Sequence, residues 1–234
     1  MKKIIRAITP PFLFNFLKKN LKGKYNSLNS LDKKIEKYLD YDNGFFVELG
    51  ANDGIAQSNS LYFEKYRNWK GVLVEPTPHN YIKCRSNRSK DSKVYCNACT
   101  SFTYSDKFVE IIYSNLMTTI IGLESDVQNP HEHAQSGNVF LTENEQNFVF
   151  GALAIPLNDL LIKSNAPRII DLLSLDVEGA EIEVLKGIDH NSFRFKYLCI
   201  ETRSIDLIED YLKSNGYDLV EQLSVHDYFF KNKL

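Results

Sequence analysis

Acids and small residues follow several short apolar runs in this 234-residue sequence, at the points where strands should end. The first run, "FFVELGANDG" (45–54), reaches an acid at Glu48, and the second, "KGVLVEP", ends at Glu75. Later runs are followed by further candidates: Asn97 and Ala98, Asp176 and Glu178, and Glu201. Clustered carboxylates repel one another and lose solvation unless a ligand binds them. If these strand ends meet, the sequence predicts a site for a ligand that carries positive charge and hydroxyl groups.

The first two runs favour S-adenosylmethionine over a dinucleotide as that ligand. The fingerprint G-x-G-x-x-G is missing, and the acids would repel a pyrophosphate. A sulfonium nucleoside offers a positive centre and two ribose hydroxyls, and Glu75 stands about 25 positions after Gly50, near the spacing of an acid that binds both hydroxyls. Gly50 allows close approach of the backbone, and Gly54 tolerates a positive φ or close helix packing. An ordinary strand-to-helix turn would explain "ELGANDG" alone, but not its combination with Glu75.

The surrounding pattern predicts a parallel sheet that brings these ends to one edge. Strands are expected at 45–49, 70–76, 93–99, 106–115, 152–156, 169–179 and 197–202, with helices at 58–69, 77–87, 157–162, 180–186 and 205–216. The β-α-β-α-β order at the start predicts a doubly wound α/β fold with right-handed crossovers. Ligands of such sheets bind at the carboxyl ends of the strands. The segments 217–223 and 225–231 alternate like an antiparallel hairpin.

Composition and charge indicate one globular domain preceded by a basic extension. The chain is 43% hydrophobic and 25% charged, and its net charge of -2 gives no reason to expect nucleic acid as a partner. Residues 1–40 hold ten Lys or Arg and three Asp or Glu, so this part carries +7. We therefore expect a helical extension over 1–40, including a helix over 30–41 capped by Ser30, and a domain over 41–234.

The extension suggests two roles for its apolar residues. One face of a short helix would carry Phe12, Leu13, Phe16 and Leu17, flanked by lysines. That face either packs on the domain, as such faces usually do, or contacts an anionic membrane surface or a lipid-linked substrate. No apolar stretch reaches the roughly 20 residues that span a bilayer. We expect a cytoplasmic protein, with peripheral contact at the inner membrane face as the alternative.

Cysteine usage fits a reducing compartment and does not predict zinc. Cys96 and Cys99 have a C-x-x-C spacing, but Cys84 and Cys199 form no second pair. Small apolar side chains at a strand end are the simpler interpretation of the pair.

Residues 116–150 are polar, weakly periodic and long for a loop, which is typical of a functional insertion or lid. Within it, His131 and His133 are either metal ligands without a third partner or residues that line a lid. His226, in the last hairpin, is a second base or, more often in such a position, a structural residue.

Four stretches together resemble the FkbM-type methyltransferases: "FFVELGANDG", "WKGVLVEPTP", "AIPLNDLL" and "LLSLDVEGAEIEVLKGI". The match runs from about Tyr41 to the C-terminus and leaves out the basic extension and residues 116–150. The resemblance implies a Rossmann-like sheet of seven mostly parallel strands with a C-terminal antiparallel hairpin. It also implies methyl transfer from S-adenosylmethionine, most often to a sugar oxygen.

The resemblance also implies roles for individual residues. The methionine end of the cofactor would be held by Glu48, Gly50, Asn52, Asp53 and Gly54. Glu75 would hold the ribose, Asn97 and Ala98 would lie near the adenine, and Asp176 would face the reacting centre.

A sugar hydroxyl must lose its proton on methylation, so the site needs a base or a metal ion. Asp176 or Glu178 could act as the base, although an acid such as Glu178 is also common at a helix start. Together with Glu201, these acids could instead hold one Mg²⁺. Two other functions remain open: a glycan- or partner-binding module with a relic cofactor pocket, and methylation of a small molecule or protein.

Overall fold

Parallel strands form the centre of the molecule, which a computed structural model describes for residues 23–233. The strands are β1 (Phe45–Leu49), β2 (Lys70–Val74), β3 (Lys93–Tyr95), β4 (Ala98–Thr100), β5 (Phe108–Tyr113), β6 (Thr119–Ile121), β7 (Phe148–Pro156), β8 (Ile169–Leu175), β9 (Arg194–Glu201), β10 (Tyr217–Gln222) and β11 (Asp227–Asn232). The α-helices are α1 (Leu31–Glu36), α2 (Leu61–Tyr66), α3 (Pro78–Asn87), α4 (Pro130–Ser136), α5 (Leu157–Lys163), α6 (Glu181–Leu185) and α7 (Ile205–Ser214). Short 3₁₀ turns cover Leu28–Ser30, Asn115–Met117 and Gly137–Phe140.

The main sheet confirms the predicted doubly wound α/β class. Its seven strands follow the order β10-β11-β9-β8-β1-β2-β3. The five strands from β9 to β3 pair in parallel, and β11 pairs antiparallel with both β9 and β10. The expected C-terminal hairpin is therefore present. The central strands read as continuous apolar runs because helices cover both faces of the sheet.

Two hydrophobic clusters, one on each face, hold these layers together. The first packs apolar residues of α5, α6 and α7 against β8 and β9, with Leu160, Leu185 and Leu212 fully buried. The second packs α1 and α2 against Phe46 and Leu73. Burying these helix faces supplies the main free energy that fixes the strand ends in place.

A second sheet of four strands, in the order β4-β7-β5-β6, was not predicted. The strand expected over 93–99 is split: β3 ends at Tyr95, and the chain crosses to the second sheet as β4. Residues 116–150 are therefore not one long loop, because they contain β6, α4 and the start of β7. The second sheet packs Ile111 and Ile120 toward the strand ends of the main sheet.

The described part of the basic extension packs onto the domain through buried Leu31 and Ile35. Its helix is shorter than expected, and Ser30 does not cap it, because Ser30 has a positive φ and no side-chain capping bond. The buried carboxylate of Asp32 instead accepts hydrogen bonds from the backbone and hydroxyl of Ser27. The apolar face predicted for 12–17 lies outside the described residues. Across 23–233, no helix has the length and apolarity that crossing a bilayer requires.

Candidate active site

The carboxyl ends of β1, β2, β8 and β9 surround a cavity of about 250 Å³. From the first two strand ends it is lined by Glu48, Gly50, Asn52 and Glu75. The ends of β8 and β9 contribute Asp176, Glu178 and Glu201, and the crossing from β3 to β4 contributes Asn97 and Ala98. Asp53 and Gly54 do not line it. Acids and amides far apart in sequence thus meet at one edge of the sheet, as ligand-binding residues do in this class of fold.

Gly50 makes the convergence possible. Its φ is +76°, and a Cβ at this position would overlap the backbone carbonyl oxygen of Asp176. Only glycine accepts both conditions without strain. The loop after β1 therefore passes directly over the end of β8.

Glu48 is used to build the site and has little capacity left for a ligand. Its two oxygens accept hydrogen bonds from the hydroxyls of Ser58 and Ser60 and from the backbone N–H of Asn59. Arg88, whose side chain is fully buried, adds an ion pair at 3.1 Å. Since Glu48 fixes the segment 58–60, its contribution to a ligand site is the placement of that segment.

Asp53 and Gly54 shape the first loop. Asp53 Oδ1 accepts from the backbone N–H groups of Ile55 and Ala56, at 2.8 and 2.7 Å, in a turn that short acids commonly form. A Cβ on Gly54 would lie 2.9 Å from Arg88 Cγ and 3.0 Å from Cys84 Sγ. The close packing and positive φ expected for Gly54 are both present.

Glu75 is buried and keeps hydrogen-bonding capacity on both oxygens. Oε2 accepts from the backbone N–H of Asn52 at 2.8 Å, and Oε1 from that of Thr77 at 2.9 Å. An ionised carboxylate has about four lone-pair sites, so each oxygen can accept one further bond. Burial raises the pKa of Glu75 above its usual range. Two hydrogen-bond donors on a ligand, such as vicinal hydroxyls, would fill the remaining acceptor sites of the Glu75 carboxylate.

Asp176, Glu178 and Glu201 form an acidic cluster in which each side chain has an oxygen within 4.8 Å of the others. Burial raises the pKa of Glu201 to about 7, with added repulsion from Glu178 and Asp227. Burial and the nearby Glu201 also hold the pKa of Asp176 well above its usual range. Because these two partly buried carboxyls lie side by side, ionising both is unfavourable until a cation is close.

Two further side chains, His133 and Arg203, contact Glu178 from outside the predicted set. His133 Nε2 lies 2.9 Å and Arg203 Nη2 lies 3.1 Å from Oε2 of Glu178. Sequence reasoning missed Arg203, although its position two residues after Glu201 placed it near the same strand end. It treated His133 only as a metal ligand or lid residue.

Residues 116–150 supply much of the remaining wall. Leu116, Met117, Thr118 and Ile120 line the cavity, as does Phe140. Asn115 joins this segment to the first loop, since its Oδ1 accepts from Asn52 Nδ2 at 3.3 Å. No periodic signal in the sequence indicated which of these residues would face the strand ends.

Two other sequence candidates, His131 and His226, do not line the cavity and are exposed on the surface. Cys99 is buried and lines the cavity beside Ala98. Within the described chain the acidic cluster is the only group of three or more side chains able to hold a metal ion. The C-x-x-C pair thus has no third ligand there.

The donor set of the cavity fits S-adenosylmethionine. Oδ1 of Asp176 and Oδ1 of Asn59 are buried and, within residues 23–233, accept no hydrogen bond. Both residues line the cavity. Unpaired buried acceptors are unfavourable. An ammonium group could donate to them, and a sulfonium would favour the ionised form of Asp176 through its charge. The same acids would be unfavourable neighbours for a pyrophosphate.

Comparison with known proteins gives one family match, one sequence relative and several structural neighbours. A family model described as the methyltransferase FkbM domain matches residues 48–219. Methyltransferase sdnD of Sordaria araneosa is 28% identical over 198 residues, covering 76% of this chain and 74% of the relative. The human methyltransferase 10 domain containing protein aligns with a TM-score of 0.45 and 12% identity, over 87% of this chain and 82% of that chain. Precorrin-6y C5,15-methyltransferase from Geobacter metallireducens aligns with a TM-score of 0.43 and 10% identity, over 89% and 90%.

Proposed function

This chain belongs to the methyltransferases with an FkbM domain, and from that premise we propose that it methylates a sugar hydroxyl with S-adenosylmethionine. The observation that carries the proposal is the meeting of Gly50, Glu75 and Asp176 around one cavity. The donor requires three features, and each residue supplies one. Gly50 leaves the backbone open to close approach, Glu75 can bind hydroxyls, and Asp176 suits a positive centre.

We assign the donor's parts to residues of the cavity as follows. Glu75 would bind the ribose, and Asn97 and Ala98 would lie beside the adenine. Asn59 and Asp176, with their unpaired oxygens, would face the methionine end and the reacting centre. Glu48, Asp53 and Gly54 would act indirectly, by holding the loops that form the site. When bound, S-adenosylmethionine supplies an electrophilic methyl group on a positively charged sulfur.

The acceptor oxygen must lose its proton as it gains the methyl group, and the cluster offers two ways to remove it. In the first, Glu178 or Asp176 accepts the proton directly. In the second, one Mg²⁺ held by Asp176, Glu178 and Glu201 acidifies the hydroxyl. The ion pair of Glu178 with Arg203 favours the first, because it places a cation in the acidic cluster without a metal ion.

A hydroxyl-rich acceptor suits the polar side of the cavity, where Glu178, Glu201 and Arg203 present hydrogen-bonding groups together. Leu28 also lines the cavity, and Ser27 pairs with Gln57 at its edge. The basic extension thus joins the domain beside the cavity. We therefore include anionic and lipid-linked sugars at the inner membrane face among the proposed acceptors, together with nucleotide sugars in the cytoplasm.

Incubation with isotopically labelled methyl donor would test the proposal, using a panel of nucleotide sugars and extracted glycans, with and without chelator. We expect the label on a sugar oxygen by mass spectrometry, together with demethylated donor. Activity that survives chelation supports the direct route, and activity restored only by Mg²⁺ supports the metal route. Labelled protein or small molecules would replace the sugar assignment, and donor binding without any transfer would favour a binding module with a relic pocket.

The donor assignment has its own test in calorimetry of S-adenosylmethionine binding. A hydrogen bond to a charged group contributes about 1.5–3 kcal/mol, so Glu75→Ala should weaken binding by about 10- to 100-fold. Glu110→Ala, which removes an exposed acid of the second sheet, is the matched control. Equal affinities in the two variants would remove Glu75 from the donor site.

A further inference from the structure

Glu178 has one oxygen that is firmly held and one that is not. Its Oε2 accepts from His133 Nε2 at 2.9 Å and from Arg203 Nη2 at 3.1 Å. Among the described residues, no side chain or backbone group pairs with Oε1. The side chains of His133 and Glu178 are only 11% and 13% exposed, so water competes weakly for their contact. One oxygen is thus fixed while the other stays available to a ligand in the cavity.

His133 reaches this position through a fixed helix. Helix α4 begins after Asn129, whose side chain accepts from the backbone N–H of Glu132 at 3.3 Å. The next residue after His133, Ala134, is 1% exposed, and its carbonyl accepts from the hydroxyl of Ser114 at 2.6 Å. The imidazole is therefore presented from a packed helix, which limits its freedom to turn away from Glu178.

The backbone of Glu178 is held by the same part of the chain. Its φ is +54°, a conformation that is unfavourable for a residue with a side chain. The hydroxyl of Thr119 donates to the Glu178 carbonyl oxygen at 2.8 Å. Residues held in such conformations are often found at functional sites, where the surroundings keep them in place. Main chain and side chain of Glu178 are thus both fixed by residues of 116–150.

We propose that His133 is a positioning residue for methyl transfer, which orients Glu178 so that its Oε1 accepts the hydrogen bond of the acceptor hydroxyl. This inference rests on the proposed function and extends it to the acceptor. The His133 ring bonds to Glu178, and His133 is not among the residues that line the cavity, so it acts through Glu178. Residues 116–150 then complete the active site by supplying the group that aligns its base, besides covering the cavity.

The contact can be tested in solution without any methyl transfer. The full chain contains five histidines, and labelling them with ¹⁵N gives ring-nitrogen NMR signals that His133→Ala assigns to His133. We expect Glu178→Gln to shift the His133 ring signals and to leave those of exposed His131 unchanged. Unchanged His133 signals would overturn the inference, because Glu178 would then not hold this ring.

The positioning role is tested by kinetics on any panel member that the wild-type protein methylates. Loss of an orienting contact of this kind typically costs about 10- to 100-fold, and we expect His133→Ala to lower kcat by that factor. His131→Ala, two positions earlier on the same helix, should retain full activity. His133→Gln, whose amide can still donate, should recover part of the rate. The affinity for S-adenosylmethionine should stay within about twofold in all three.

A double-mutant cycle separates a positioning role from general loss of structure. If His133 acts through Glu178, adding His133→Ala to Glu178→Gln should lower kcat no further. If the two substitutions each lowered kcat independently, so that their factors multiplied in the double variant, the inference would be overturned. It would also be overturned if His133→Ala were as active as His131→Ala. A wild-type protein that methylates no panel member would contradict the proposed acceptor instead, and the NMR result would still decide whether the contact exists.

Discussion

The backbone carbonyl oxygen of Asp176 occupies the space that a side chain on Gly50 would need. The two residues end neighbouring parallel strands, since Leu49 pairs with Leu175. Their close approach brings the loop after β1 onto the end of β8, and the cavity forms beside this crossing. One glycine thus joins the donor side of the site to its acidic cluster.

We expect Gly50→Ala to abolish binding of S-adenosylmethionine and to destabilise the fold. A positive φ costs a residue with a side chain about 1–2 kcal/mol. Displacing the Asp176 carbonyl adds about 1–3 kcal/mol, as overpacking in a core does. Denaturant unfolding gives the stability and calorimetry gives the affinity.

Gly122→Ala is the matched control for this variant. Gly122 has a φ of +78°, nearly the same as Gly50, but nothing lies within 4 Å of a Cβ there. Gly122→Ala should therefore lose only the stability that the positive φ costs, about 1–2 kcal/mol. If the two variants lost equal stability, the contact with Asp176 would not be what requires glycine at position 50.

The strand-end residues were predictable because the signals that place them are local. An apolar run that stops at an acid or glycine marks the end of a buried strand, and parallel order brings such ends together. The pattern could not separate acids that keep free oxygens from acids that are already satisfied. Glu75 keeps capacity on both oxygens, whereas Glu48 is satisfied by partners that include Arg88, 40 positions away.

The second sheet and the contact between His133 and Glu178 were not predictable for a different reason. Strands β4 and β6 have three residues each, too few to show an alternating pattern. His133 and Glu178 are 45 positions apart, and no periodicity links them. Their meeting depends on how α4 packs against β6, which is a property of the folded chain.

The affinity for S-adenosylmethionine should rise with pH, whereas that for the demethylated product should not. Burial raises the pKa of Glu201 to about 7, so the cluster keeps a proton below that pH and loses it above. The ionised form attracts the positive sulfonium more strongly, and the product has a neutral sulfur. We expect the ratio of the two affinities to increase several-fold between about pH 6 and pH 8.

Calorimetry with both ligands, in the presence of chelator, measures this ratio. Glu201→Gln removes the titrating group and should flatten the dependence. An equal rise for both ligands would mean that the pH effect comes from their shared amino-acid or nucleoside parts, against the assignment of the cluster to the sulfonium.

Arg88 should be essential for stability because it is the cation between two mostly buried acids. Its fully buried guanidinium lies 3.1 Å from Glu48 Oε2 and 3.1 Å from Glu64 Oε1. Removing one partner of a buried ion pair typically costs about 3–5 kcal/mol, and we expect Arg88→Ala to fall in that range. Arg88→Lys should recover little, since a lysine cannot reproduce the planar fork.

Lys186→Ala provides the control for Arg88. Lys186 pairs with Glu124 at the surface, where the side chains are 38% and 47% exposed. Such pairs contribute about 0–1 kcal/mol. Chemical denaturation of the variants compares them directly, and a loss from Arg88→Ala as small as from Lys186→Ala would contradict the structural role given to Arg88.

Asp126 should hold residues 116–150 against the strand ends. Its Oδ2 accepts from the Arg203 backbone N–H at 2.6 Å and from the Thr202 hydroxyl at 3.0 Å, and its own N–H donates to the carbonyl of Gly179. Asp126→Ala leaves the donating hydroxyl of buried Thr202 without this acceptor, which costs about 1–3 kcal/mol. We expect faster hydrogen exchange over 119–140, with slower methyl transfer but unchanged donor affinity.

Asp126→Asn separates the loss of charge from the loss of the hydrogen bonds. An amide oxygen can still accept from Thr202 and Arg203, so exchange over 119–140 should stay close to that of the wild type. Glu143→Ala, which removes an exposed acid from the same part of the chain, should change neither exchange nor activity. If Asp126→Ala exchanged as slowly as Glu143→Ala, other contacts would have to hold this segment. The alignment of Glu178 by His133 would then not depend on Asp126, because helix α4 would stay in place without it.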